Sequence, residues 1–450
     1  MKRDLKVFQD FHQERLAQGQ KVGVINLGCS RNLVDSQAIL GRLKKNGHRI
    51  VDIGKADVAI VNTCSFIDEA KQESIDTICD LLELKKQGKL KKVIVSGCLA
   101  QRYGKELAQE FKELDAIIGT PAFAKDEIPE HYSLTPPHFA YVKICESCYN
   151  RCSFCAIPKI KGKFRSRTIE SVLAEIVKLD RQGVKEINLI GQDITAYGMD
   201  LYHEFRLAKL LKEMTKVIQN IQWIRLLYAF PAHVTDELVE IIGQETKICN
   251  YIDMPLQHIS DPILKAMNRN ITTAQTRALV KKIRSRIPRG SLRTTFIVGL
   301  PGETEENFEE LLEFVKTARF EKMGVFVYSQ EEGTDAFSMS NQVKEAVKKQ
   351  RRDILMKEQQ RISSEVQKRF IGRTLKVIIE EGKVIIEEGK ALTEEAQKGE
   401  EYTFIGRTEY DAPDVDGVIY VHSSKKMNPG DFVDVQVTDT LEYDMVAVAK

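Results

Sequence analysis

The sequence predicts an α/β chain of three units: a doubly wound parallel sheet, a partial (β/α) barrel and a small all-β barrel. Three observations lead to that reading. Short β-branched runs alternate with helical stretches at the amino end. A longer alternation of the same kind follows, and the final eighty residues exchange helical periodicity for short strands and turn-formers. The length agrees, since 450 residues imply roughly two to four domains.

The first strands are read at residues 22–26, 58–62 and 93–97, each short, continuous and apolar, as strands covered on both faces should be. A helix over 33–45 ends at Gly47 in an Asn-Gly pair. After a Pro-rich stretch at 121–137, six more strands are expected at 140–144, 186–191, 223–227, 251–254, 293–299 and 324–329. One intervening helix carries Phe308, Leu311, Leu312 and Val315 as an apolar stripe. Strands alternating with helices in this number suggest a barrel whose site lies at the strands' carboxyl ends.

Residues 341–370 hold nine Lys/Arg against four Asp/Glu and read as a connecting helix with a solvated face. Beyond them, strands at 375–379, 418–421, 432–437 and 445–448 suggest a five-stranded barrel. The resulting units are an extension over 1–20, domains over 21–132 and 133–368, and a barrel over 369–450.

Composition narrows the class. With 42% hydrophobic and 29% charged residues the chain is neither disordered nor membrane-embedded, and the first twenty residues lack an apolar leader core. A cytoplasmic protein is expected, with no membrane partner. A net charge of +2 excludes a uniformly basic nucleic-acid binder. Residues 371–450 are distinctly acidic, with nine Lys/Arg against seventeen Asp/Glu. Nine cysteines without a secretion signal argue against a disulfide framework.

Their spacing is informative. Cys148, Cys152 and Cys155 form a C-x3-C-x2-C run just beyond a predicted strand. Three thiolates on one loop can hold three irons of a [4Fe–4S] cluster and leave the fourth open. S-adenosylmethionine can occupy such an iron through its amino and carboxylate groups. Cys145 extends the run to four thiols, which a zinc site or a closed cluster could also use. Structural zinc usually takes two knuckles a dozen or more residues apart, so Cys145 is read as a bystander. Cys29, Cys64 and Cys98 each follow one of the first three strands, 34 or 35 residues apart, so they can meet in one crevice as a second three-thiolate site. Cys79 and Cys249 have no partners and are expected in the core.

With these motifs the chain resembles the methylthiotransferases of the radical S-adenosylmethionine superfamily. The resemblance covers nearly everything after residue 20. It is closest to the branch acting on ribosomal protein S-12 rather than on tRNA. The stretches carrying it are Leu27-Gly-Cys-Ser-Arg-Asn-Leu-Val-Asp-Ser36, Gly191-Gln-Asp-Ile-Thr-Ala-Tyr-Gly198, Met254-Pro-Leu-Gln-His258, Phe296-Ile-Val-Gly-Leu-Pro-Gly-Glu303 and Gly406-Arg-Thr-Glu-Tyr-Asp-Ala-Pro-Asp-Val-Asp-Gly417. Ser30-Arg31 stands where that branch usually has Pro-Lys, and Ser147 replaces a glycine.

The resemblance implies a radical barrel, a TRAM-like terminal barrel, two [4Fe–4S] clusters on the two cysteine sets, and S-adenosyl-L-methionine. It also implies a protein substrate, an electron donor and a sulfur source; the acidic terminal unit would attract a basic protein and repel RNA phosphates, so direct nucleic-acid binding is not expected. Gly191, Gln192, Asp193, Gln257 and His258 follow predicted strands and are candidates for the barrel mouth. For His258 a hydrogen-bonded core position is the alternative. Gly299 permits close backbone approach to a ligand, and Glu303 either meets a ribose or caps the next helix.

Overall fold

The computed structural model describes residues 7–8, 16, 19–121, 125–126, 128–130, 132–387, 390–392 and 402–450. The amino-terminal unit runs β1 (Val7–Phe8), β2 (Lys21–Asn26), α1 (Ser30–Lys45), β3 (Arg49–Ile50), β4 (Val58–Thr63), α2 (Asp68–Lys86), β5 (Lys92–Gly97), α3 (Cys98–Glu110) and β6 (Ala116–Ile118). Its sheet is parallel in the order β1-β6-β5-β4-β2-β3. Strand β4 is buried along its whole length, as its unbroken Val-Ala-Ile-Val run requires. Of the expected extension, only β1 and a few further residues are described.

The central unit contains β7 (Phe139–Lys143), β8 (Cys145–Glu146), α4 (Ile157–Lys161), β9 (Arg165–Ser166), α5 (Ile169–Arg181), β10 (Glu186–Ile190), α6 (Met199–Tyr202) and α7 (Leu207–Val217). It continues through β11 (Trp223–Leu226), α8 (Asp236–Gln244), β12 (Ile248–Asp253), α9 (Asp261–Ala266), α10 (Thr273–Arg286), β13 (Ser291–Val298), α11 (Glu305–Ala318), β14 (Lys322–Val327) and α12 (Glu345–Gln367). Six strands pair in parallel and in sequence order, from β7 through β10, β11, β12 and β13 to β14. Sequential right-handed crossovers put the long connecting helices α5, α7, α8, α10 and α11 on one side of the sheet. Ile187, Leu189, Ile224 and Leu226 accordingly pack with helix residues such as Val172, Leu211 and Val239.

The opposite face needs another cover, and the terminal unit supplies part of it. That unit comprises β15 (Thr374–Glu387), β16 (Lys390–Leu392), β17 (Tyr402–Thr408), β18 (Ile419–Ser423), β19 (Phe432–Thr440) and β20 (Met445–Ala449). Strands β15, β17, β18, β20 and β19 close into a five-stranded barrel through the β15–β19 pairing. Strand β17 has no counterpart among the predicted strands. Trp223, Cys249 and Tyr251 of the sheet pack against Ile378 and Ala412, with Val34 of α1 on the same side. Between them run buried ion pairs: Glu186 takes Arg225 at 2.8 Å and Arg407 at 2.5 Å, and Lys322 meets Asp411 at 2.5 Å. Tyr141 and Tyr251 donate to Asp414 and Asp416 at 2.8 and 2.7 Å.

Several readings change here. Helix α12 is solvated on one face only: Leu355, Gln359 and Ile362 are buried, as are Lys348 and Arg351. Arg351 is held there by Glu303 and Glu305, which offset the cost of burying its charge. Cys79 is exposed rather than in the core, because α2 turns Ser74, Ile78, Leu81 and Leu82 inward and leaves Cys79 on the other side. Cys249 is buried as expected. Among the described residues no helix is long and apolar enough to cross a membrane.

Candidate active site

In the amino-terminal sheet, Asn26, Asn62 and Ser96 are register partners across β2, β4 and β5. The three strands therefore end level, and Cys29, Cys64 and Cys98 leave them at one height. Asn32 ties the loops together, donating to the carbonyls of Leu27 and Thr63 at 2.9 and 3.0 Å while accepting from the Cys98 Sγ at 3.7 Å. Gly28 has φ +87°, and a Cβ there would lie 3.0 Å from the Cys64 Sγ, so glycine lets the two loops close up. Cys29 caps α1 and Cys98 begins α3, where helix N-termini favour negative charge. Burial pushes the Cys98 thiol up to about 12, opposed by Lys161 and reinforced by Cys64 and Cys29. Burial also opposes ionisation of Cys29, yet the Arg31 guanidinium brings that thiol below its usual range.

The second set sits on the loop between β8 and α4. Ser147 enters that loop at φ +66°, a conformation that favours glycine, and its hydroxyl donates to the Gly162 carbonyl at 2.6 Å. The loop is pinned by Ser153, whose N–H and hydroxyl bond the carbonyls of Met267 and Ala266 at 3.0 and 2.7 Å. Asn150 and Arg269 point donors at the Cys148 and Cys152 sulfurs, both at 3.8 Å. Burial pushes Cys148 and Cys155 up to about 12, with the neighbouring cysteines adding to it. Cys145 faces away: it lies in the core cluster, and its Sγ donates to the Asp193 carbonyl at 3.5 Å.

The loop carrying Cys148, Cys152 and Cys155 meets the amino-terminal unit at one cavity of about 210 Å³ at the carboxyl ends of β10, β11 and β12, whose lining among the described residues does not include Cys29, Cys64 or Cys98. Cys148, Cys152 and Cys155 line one side, and Arg31 and Phe66 of the amino-terminal unit line another. Cys98 packs on Ala156 and Ile160, immediately beyond Cys155. No three Cys, His, Asp or Glu side chains among the described residues converge tightly enough to hold a single ion. Thiolates that each hold a different iron of a cubane need not converge in that way. Buried carbonyl oxygens of Gln192 and Gln257 and the Nε of Arg269 line the cavity without partners, which suits a polar ligand there.

The other candidates fall into two groups. Gln192 and Gln257 line the cavity, and the Gly191 carbonyl accepts from Arg31 at 3.1 Å. Asp193 lies behind the wall, accepting from the N–H groups of Thr195 and Ala196, from Asn150 at 2.8 Å and paired with His233 at 2.9 Å. His258, Gly299 and Glu303 form a separate buried knot under α12. Glu303 accepts from the Gly299 N–H at 2.7 Å and from Arg351 at 2.8 Å. His258 accepts from the Ser260 N–H at 3.1 Å, and burial pulls its pKa down to about 3, helped by Arg351. Arg31, Tyr228 and Arg269 line the cavity and were missing from the sequence-derived set. Arg31 lay inside a quoted motif; nothing local marks the other two.

The comparisons divide the chain as the fold does. The radical SAM superfamily model matches residues 142–315, an uncharacterized protein family, UPF0004, matches 21–119, and the TRAM domain matches 371–449. Three relatives, each named ribosomal protein uS12 methylthiotransferase RimO, align over 95% of this chain. They are those of Clostridioides difficile (strain 630), 44% identical over 98% of its length, and Thermoanaerobacter sp. (strain X514), 46% over 99%. The third, from Caldanaerobacter subterraneus subsp. tengcongensis, is 47% identical over 99% of its length. Similarity of this extent, over all three units, makes the chain a member of the RimO family of radical S-adenosylmethionine methylthiotransferases.

Proposed function

We infer that this protein adds a methylthio group to the β-carbon of an aspartate on ribosomal protein S-12. The relatives are named for methylthiotransfer to uS12. The observation that carries the reading to this chain is that Arg31, a neighbour of Cys29 and Cys98, lines one cavity together with Cys148, Cys152 and Cys155. Sulfur insertion at a C–H bond needs a radical source and a sulfur carrier at the same carbon.

The radical SAM superfamily implies a [4Fe–4S] cluster and S-adenosylmethionine. We assign the first cluster to Cys148, Cys152 and Cys155, and a second [4Fe–4S] cluster, as sulfur carrier, to Cys29, Cys64 and Cys98. When bound, the first supplies the electron that cleaves S-adenosylmethionine to the radical that takes hydrogen from the acceptor carbon. Asn150 and Arg269 then act as donors to the Cys148 and Cys152 sulfurs, and donors of this kind tune such sites. Gln192 and Gln257 supply acceptors toward the cofactor. His258, Gly299 and Glu303 hold the wall behind it. An electron donor and a sulfur source complete the reaction.

A protein acceptor also suits the terminal barrel. Asp431 and Asp434 are exposed, and such acids repel RNA phosphates and attract a basic protein. Of the other acids there, Asp411, Asp414 and Asp416 bond the central unit instead. The Glu387 side chain and Glu388, Glu394, Glu395, Glu400 and Glu401 lie outside the described residues. Co-expression with S-12 followed by mass spectrometry tests the reading: one methylthio group on one aspartate is expected. Unmodified S-12 with methylthiolated tRNA would overturn the substrate.

A further inference from the structure

We propose that Arg31 binds the carboxylate of the acceptor aspartate and so places its β-carbon between the two cysteine sets. This rests on the aspartyl acceptor of the reading above. Arg31 comes from the amino-terminal unit, in the turn that leaves Cys29, yet its Nη1 donates to the Gly191 carbonyl beyond β10 at 3.1 Å. Its guanidinium lies 4.3 Å from the centre of the Tyr228 ring, so its plane is fixed. Tyr228 is itself held at φ +69°, its N–H donating to Asp253 at 3.0 Å. A guanidinium has five donors in a planar fork, and one stacked on a ring is pre-ordered for a carboxylate.

The cavity's composition points to the same ligand chemistry. Among the described residues its lining has two cations, Arg31 and Arg269, and no Asp or Glu. Arg269 is committed to the radical-site wall: it stacks at 4.3 Å on Phe230, donates to the Pro255 carbonyl at 2.7 Å and approaches the Cys152 sulfur. Arg31 stands on the other side, against Cys29. In aspartate the reacting carbon is bonded directly to the carboxyl carbon. A carboxylate on Arg31 therefore brings that carbon to the seam where sulfur and radical must meet. Adenine in tRNA carries no carboxylate and would leave this fork unused.

The methionyl carboxylate of S-adenosylmethionine is the other source of the same chemistry, and the test separates the two. Anaerobically reconstituted full-length enzyme is assayed with a peptide spanning the S-12 acceptor loop and with its Asp→Asn counterpart. The wild type is expected to prefer the aspartyl peptide in kcat/KM by about 100-fold, since charge-assisted hydrogen bonds are roughly twice as strong as neutral ones. Arg31→Gln should raise the KM for the aspartyl peptide and bring that preference close to unity, with the KM for S-adenosylmethionine unchanged. Arg31→Lys should keep an intermediate preference. The ratio is taken within each variant, so partial loss of iron does not mimic the effect. A wild-type ratio surviving in Arg31→Gln, or a rise confined to the KM for S-adenosylmethionine, would overturn the inference alone. A wild type that modifies neither peptide nor S-12 would remove the functional reading as well.

Discussion

The Lys161 ammonium of α4 sits 2.9 Å from the Asp35 carboxylate of α1, joining the central and amino-terminal units beside both cysteine loops. Lys143 bonds Asp35 as well and reaches Glu146 at 2.6 Å, while Lys161 lies 3.4 Å from Glu146. All four side chains are buried. Two lysines and two carboxylates neutralise one another, so the arrangement persists only complete.

That quartet should make stability acid-sensitive. Burial opposes ionisation of Glu146, but Lys143 and Lys161 outweigh it and hold the carboxyl well below its usual range. The folded state then binds fewer protons than the unfolded one below about pH 5, so this stabilisation is full above that pH and lost as pH falls. Glu146→Gln should cost on the order of 3–5 kcal/mol at pH 7 and progressively less toward pH 3. Urea unfolding at stepped pH measures it; a pH-independent difference would contradict the assignment.

The two cysteine sets should be separable. Replacing Cys148, Cys152 or Cys155 singly by Ala should abolish 5′-deoxyadenosine formation. Replacing Cys29, Cys64 and Cys98 together should halve the iron, stop methylthiolation and spare deoxyadenosine formation. Cys145→Ser should leave iron content at the wild-type value, since that thiol bonds the Asp193 carbonyl in the core. Iron analysis and chromatography of the nucleoside read all three.

His258 should titrate only in strong acid. With a pKa lowered to about 3 by burial, it stays neutral while an unfolded histidine protonates near 6.5. Stability is then unaffected above pH 6.5 and falls between pH 6.5 and 3 as the unfolded state takes up the proton. His258→Asn, which can still accept from the Ser260 N–H, should flatten that decline in thermal melts.

The terminal barrel should be needed for the central sheet to stay folded. Removing residues 371–450 uncovers Trp223, Cys249 and Tyr251 and deprives Arg225 of the Glu409 carbonyl and Arg293 of Asp416. The truncated chain should aggregate or bind a hydrophobic dye. Arg407→Met in the full chain should cost about 3–5 kcal/mol by leaving Glu186 one cation short. A soluble, dye-negative truncation would show that the sheet needs no such cover.

Much of this was legible along the chain. The strand runs at 22–26, 58–62 and 93–97 are each continuous β-branched segments, and all three proved to be strands. Strand β17 escaped because Tyr402–Thr408 combines Gly406 and Arg407, which weaken a strand pattern locally; pairing with β15 and β18 makes it one. Cys79 was misplaced because a cysteine carries too little pattern to show which side of an amphipathic helix it occupies. Lys348 and Arg351 misled for the opposite reason, since charge alone suggests solvent while Glu303 makes burial of Arg351 possible, and Glu345 with the Tyr328 carbonyl that of Lys348.

The alternation of strands and helices in the first two units and the spacing of the cysteine runs are properties of short segments, and the amino-acid pattern was enough to establish them. Hydrophobic periodicity acts within an element, and three thiols on one loop are neighbours by covalent connection. Which side chains share the cavity is another matter. Arg31 reaches Gly191 across 160 positions, and Asp411 and Asp416 of the acidic terminal unit dock onto Lys322, Arg293 and Tyr251. Those relations arise because six sequential parallel strands put their long connecting helices on one face and leave the other to be covered by whatever packs there.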